Sequence, residues 1–79
     1  MWWDITEDFL QESGFEYDER SKEYYFSCDN GRLYVIVQLE PDGFCDVMVE
    51  VNETRGWLNH ITTQQQLKDL VKALSGEEI

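Results

Sequence analysis

The sequence predicts an α+β fold: a two-layer sandwich with an N-terminal helix, an antiparallel β-meander of three to four strands and a C-terminal helix. Three observations predict it. Residues 15–51 alternate with period two, as a strand with one buried face does. Asn30-Gly31 and Pro41-Asp42-Gly43 interrupt that alternation with turn chemistry. The segments on either side instead space their apolar residues three and four apart, as a helix packed along one stripe does.

Residues 4–13 are assigned to the first helix. Asp4 followed by Glu7 fits a capping box, with Asp4 as N-cap and Glu7 at the third helical position. Ile5, Phe9 and Leu10 share one face, Glu7 and Asp8 suit the positive end of the helix dipole, and Gly14 suits the left-handed residue that ends a helix.

Asn30-Gly31 is a strong signal for a two-residue type I′ hairpin, which pairs Cys28 with Leu33, Phe26 with Val35 and Tyr24 with Val37. At the next turn a two-residue loop would set Asp46 and Glu50 on the face of Val35 and Val37. A three-residue loop, with Gly43 left-handed in a bulge, pairs Leu39 near Cys45, Val37 with Val47 and Val35 with Val49. The second register keeps the apolar set together and is preferred, because a slip of one residue turns every side chain to the other face. Phe15 and Tyr17 extend the meander by pairing with Phe26 and Tyr24 across a loop at 19–22. The core face then runs from Phe15, Tyr17, Tyr24, Phe26 and Cys28 through Leu33, Val35, Val37 and Leu39 to Cys45, Val47, Val49 and Val51.

Residues 52–56 are assigned to a polar loop and 57–61 to a connector or fifth strand. Thr62 with Gln65, or Thr63 with Gln66, forms the capping box of the last helix. Leu67, Leu70, Val71 and Leu74 make its apolar stripe, and Gly76 ends it. Both helices are expected on the Val/Leu face.

The chain has 79 residues, with 17 Asp and Glu against 6 Lys and Arg, a formal net charge of −11. One domain over 1–79 is the natural reading at this length. Six scattered cations cannot supply the clustered phosphate contacts of a nucleic-acid-binding surface, so no direct nucleic-acid contact is expected. Negative charge argues against anionic lipid, and no apolar run approaches the roughly 20 residues of a membrane span. The amino end shows no basic n-region followed by an apolar h-region, so a cytoplasmic protein is expected. The composition, 42% hydrophobic and 14% aromatic, is that of a folded chain rather than an acidic disordered tail.

Catalytic and metal motifs are not legible. His60 is the one histidine and has no Ser or Cys at a spacing known for nucleophilic catalysis; a structural or solvent-exposed role is assigned to it. Asp29-Asn30-Gly31 and Asp42-Gly43 resemble pieces of calcium loops, but the turn reading accounts for both. No enzyme activity, cofactor or metal is expected. Cys28 and Cys45 lack metal-ligand spacing and are assigned as small buried hydrophobes. The register sets Cys28 level with Leu33 and Cys45 level with Leu39, about 20 Å apart along a strand. A disulfide needs Cα atoms within about 7 Å, so none is expected.

Trp2-Trp3 suits either a docking anchor or a cover over the open end of the core, and the cover is preferred. Two features are candidates for function. The first is the acidic start: residues 1–19 hold Asp4, Glu7, Asp8, Glu12, Glu16, Asp18 and Glu19 and no Lys or Arg. Asp8 and Glu12 stand four apart on the helix, where like charges repel, and selection for stability alone would mix the signs. An ordinary solvated face is the equal alternative. The second is the other sheet face, with Tyr25, Tyr34, Ile36, Phe44 and Met48 beside Gln38, Asp46 and Glu50. Contiguous exposed apolar patches often mark contact sites; cover by a helix or by residues 57–61 is the equal alternative.

These features fit a binding protein without chemistry of its own. Its expected partner is a positively charged protein, a nucleic-acid-binding nuclease or effector complex, because basic grooves mostly hold nucleic acid and negative charge speeds encounter with them. In size, acidity and helix–meander–helix order the whole chain resembles small phage anti-CRISPR proteins, although no residue motif is shared. An acidic domain in such a groove is a competitive inhibitor, in effect a DNA mimic, and a monomer or weak homodimer is expected; the resemblance implies a blocker of the DNA-binding groove of a CRISPR effector nuclease, in the host cytoplasm if the chain is phage-encoded. A toxin-neutralising immunity protein or antitoxin, and a small assembly subunit joined through the Tyr/Met face, are the rival classes.

Overall fold

The computed structural model describes residues 4–41, 45–58, 61–76 and 79. Its elements are α1 (Glu7–Glu12), β1 (Glu16–Asp18), β2 (Glu23–Cys28), β3 (Leu33–Leu39), β4 (Cys45–Val51), β5 (Thr54–Leu58) and α2 (Gln64–Ser75). The strands form one antiparallel sheet in the order β1-β2-β3-β4-β5. The class is α+β, with five strands in place of the three to four expected.

The pairing of β2, β3 and β4 follows the sequence register. Cys28 pairs with Leu33, Phe26 with Val35 and Tyr24 with Val37. Leu39 pairs with Cys45, Val37 with Val47 and Val35 with Val49. At the first hairpin Asp29 (φ 50°), Asn30 (φ 56°) and Gly31 (φ 86°) are all left-handed, one residue more than the expected two-residue turn, and Arg32 N–H donates to Asp29 O at 3.2 Å. The Gly43 bulge, Phe44, Trp2-Trp3 and His60 lie outside the described residues. At the N-terminal edge Tyr17 pairs with Tyr24, their rings 4.8 Å apart, while the Phe15 and Phe26 rings stand at 5.3 Å.

The assigned loop 52–56 is corrected. Only Asn52 (φ 50°) and Glu53 (φ 66°) turn, both left-handed, and Thr54 already pairs with Val51. The two-residue hairpin was hidden because Glu stands where glycine usually marks such a turn. The strand it opens, Thr54-Arg55-Gly56-Trp57-Leu58, also shows no apolar alternation.

α1 is shorter than residues 4–13, and its cap differs from the expectation. Thr6, not Asp4, is the N-cap: its hydroxyl accepts from Phe9 N–H at 3.2 Å, which makes Glu7 the first helical residue. Asp4 serves the other helix. Its Oδ1 accepts from Gln64 N–H at 2.7 Å, and Gln64 Nε2 donates to Asp4 O at 2.7 Å. A carboxylate is thus placed at the positive end of the α2 dipole. Thr63 and Gln66 form the α2 capping box, and Gly76 (φ 78°) ends that helix, with its N–H on Lys72 O at 2.8 Å.

One buried cluster joins the helices to the Val face of the sheet: Phe9 and Leu10 of α1 and Leu67 and Val71 of α2 meet Val35, Val37 and Val47. Tyr17 and Val51, assigned to the same face, are exposed near its margins. Cys28 and Cys45 are buried in this cluster and are not joined by a disulfide.

Candidate partner-binding surface

Strand alternation sends Tyr25, Ile36, Met48 and Trp57 to the face away from the Val35–Val37 cluster. Cross-strand pairing sets Glu16, Tyr25, Ile36, Met48 and Trp57 in one line over all five strands. Ser27, Tyr34, Glu50 and Arg55 form the next line.

Exposure and cover of this face were equal alternatives, and at two positions of its centre the structure shows cover. Ile36 and Met48 are 4% and 1% exposed, although neither belongs to the helix-covered cluster. Arg55 lies over one of them, Met48. From β5 its side chain crosses the sheet, with Nη1 3.9 Å from Met48 Sδ, and reaches the first residue of β2. There Nη1 donates to Glu23 Oε2 at 2.9 Å and Nη2 to Oε1 at 3.2 Å, while Nε donates to Glu50 Oε1 at 2.8 Å. One guanidinium therefore ties β2, β4 and β5 together over an apolar floor. Among the described residues Glu23 is the buried charged one, and the fork geometry occupies both its oxygens. The bonds to Glu50 and Glu23 push the Arg55 pKa still higher, so the guanidinium stays charged.

Beside this clasp lies a concavity of about 400 Å³, lined by Asp18, Ser21, Glu23, Tyr25, Tyr34, Ile36, Glu50 and Arg55. The Tyr25 and Tyr34 rings stand 6.1 Å apart, edge to face. The carboxylate of Glu16, cross-strand partner of Tyr25, raises the Tyr25 phenol pKa. Asp18 is oriented by its own turn, Oδ1 accepting from Arg20 N–H at 2.9 Å.

The structure thus gathers five of the sequence-named residues, Asp18, Tyr25, Tyr34, Ile36 and Glu50, around one hollow. Met48 lies beneath the clasp, Glu16 is in line with Tyr25, and Asp46 is opposite Gln38, outside the hollow. Glu7, Asp8 and Glu12 are exposed on α1, whose Phe9 and Leu10 belong to the Val35–Val37 cluster, and Glu19 is exposed in the β1–β2 loop. Burial first, and the Glu7 carboxylate second, push the Tyr24 phenol up to about 12. Asp4 is engaged with α2.

Glu23 and Arg55 were missed in the sequence. Their signal was parity: Glu23 shares a face with Tyr25, and Arg55 falls opposite Glu50 once the Asn52-Glu53 turn is recognised.

Comparison with protein families, curated proteins and solved structures finds no match to the chain. Its surface chemistry therefore carries the functional argument alone. Among the described residues, no group of three or more His, Cys, Asp and Glu side chains is arranged to hold a metal ion. No helix among them is long and apolar enough to cross a membrane.

Proposed function

We propose that this chain is a non-enzymatic acidic inhibitor that occupies the basic, nucleic-acid-binding groove of a partner nuclease in the cytoplasm, in the manner of small phage anti-CRISPR proteins. One observation carries the reading: the seven carboxylates of residues 1–19 come with no Lys or Arg, and six of them stay at the surface around α1 and the β1 edge. In this reading the fold is a two-layer sandwich. Glu7, Asp8 and Glu12 extend from the helical layer, while Glu16 and Asp18 lead onto the open sheet face beside Tyr25. Negative groups spread over both sides of one edge suit a concave basic surface, and they accelerate encounter in a salt-sensitive way.

The test is charge reversal. Asp8, Glu12 and Glu16 are changed together to Lys, and capture of the candidate nuclease is measured at low and moderate salt. The expected result is a loss of at least tenfold in affinity and a weaker salt dependence. Undiminished capture removes the acidic edge from the account.

A further inference from the structure

We infer that the hollow on the open sheet face is a receptor for one arginine side chain presented by the basic partner. The inference rests on the reading of the chain as a binder of a basic protein and adds to it a specific contact. Three carboxylates, Asp18, Glu23 and Glu50, line the hollow against one guanidinium, Arg55, so two negative charges stand in excess. The aromatic walls, Tyr25 and Tyr34, meet edge to face, centroids 6.1 Å apart and planes at 75°, a contact that takes one ring face and leaves the others outside it. A cation over such a ring face is attracted by its quadrupole.

Arginine fits better than lysine. Its guanidinium is planar, weakly hydrated, able to stack on a ring and able to donate in a fork to a carboxylate, whereas an ammonium is a compact, strongly hydrated point charge. The same face already seats a guanidinium, since Arg55 lies over Met48 with its fork on Glu23. That internal contact uses both Glu23 oxygens and Oε1 of Glu50. Asp18, fixed at the rim by the Arg20 N–H, and the two tyrosine rings remain as the groups that receive a second cation.

The experiment is an NMR-monitored titration of the intact chain with N-acetyl-arginine amide, whose one charge is the guanidinium. Saturable shifts of the Tyr25 and Tyr34 ring protons and the Asp18 amide are expected, with a dissociation constant on the order of 1 mM. Capped lysine should bind several-fold more weakly, and capped norleucine should leave the rings unmoved. Asp18→Asn keeps the acceptor for Arg20 and should weaken arginine binding about fivefold or more. Tyr34→Ala should do the same, and the Asp18 variant decides if that one fails to fold. No saturable shift, equal binding of capped lysine, or undiminished binding to Asp18→Asn overturns the inference. The reading it rests on fails separately: arginine that saturates a protein unable to capture a basic nuclease leaves the receptor standing and removes the inhibitor. Capture that survives Asp18→Asn, with no arginine binding, does the reverse.

Discussion

Arg55 holds both carboxylate oxygens of Glu23, a residue 32 positions earlier in the chain, at 2.9 and 3.2 Å. The Glu23 side chain is 10% exposed and that of Arg55 41%. Removing the guanidinium leaves a buried carboxylate without its partner, whereas removing both groups leaves none. Arg55→Met is therefore expected to cost about 1–3 kcal/mol, below the full penalty of a wholly buried pair because water reaches the exposed side of Arg55. The double variant Glu23→Leu with Arg55→Met should lose less than the single one. Urea midpoints of the wild type, Arg55→Met, Glu23→Leu and the double variant measure this; a double variant as weak as the sum of the two single variants would mean that the two residues act independently.

Asp4 ties the start of the chain to the start of α2. Asp4→Ala removes the acceptor for Gln64 N–H and is expected to cost about 0.5–2 kcal/mol, the range of a lost helix cap. Asp4→Asn keeps an oxygen there and loses only the charge–dipole part, about 0.3–1 kcal/mol. Thermal melts of the two variants should rank in that order. If Asp4 capped α1 instead, Thr6→Ala would be harmless, and a clear loss of stability in that variant is expected here.

Alkaline pH should destabilise the fold through two buried acids. Burial, then the charges of Asp46 and Asp4, push the Cys45 thiol from 9.0 to about 11, and burial and Glu7 push Tyr24 from 10.0 to about 12. Both groups keep their protons in the folded state at pH values where the unfolded chain has lost them. Their contributions are complete below pH 9 and 10, and are lost as pH rises through about 11 and 12. Urea midpoints measured from pH 8 to 12 should fall, and Tyr24→Phe should fall less. A flat profile would contradict the burial of both groups.

The same burial protects the thiols. Alkylation at pH 8, followed by mass spectrometry, should be slow for the folded protein and fast in denaturant, since the thiolate is the reactive form. Mass under non-reducing conditions should correspond to two free thiols.

Added salt should stabilise the chain. A net charge of −11 on 79 residues repels itself, and the Debye length shortens to about 10 Å at 0.1 M. Each ~1 kcal/mol of repulsion removed should raise the melting temperature by roughly 4–8 °C. A melting temperature that falls between low and moderate salt would show that the Arg55 ion pairs outweigh the general repulsion.

Local chemistry made much of this legible. Asn30-Gly31 fixes a hairpin within four residues, and the Val and Leu alternation admits one register that buries a single face, so the pairing from Tyr24 to Val51 followed from sequence. The Thr63–Gln66 box and Gly76 mark α2 for the same reason: each signal and its consequence lie within a turn of helix. The uneven charge of residues 1–19 is likewise a property of sequence.

Only the tertiary structure decided which carboxylates remain available and what covers the open face. Asp4 carries the same short-range signals whether it caps α1 or reaches a backbone N–H 60 residues away, and the fold chose the second. Ile36 and Met48 alternate as exposed residues would, yet both are buried, and an arginine from β5 crosses over Met48 to a glutamate on β2. Period and propensity describe a residue's neighbours along the chain; these contacts depend on which distant groups the folded sheet brings within about 3 Å, the reach of a hydrogen bond.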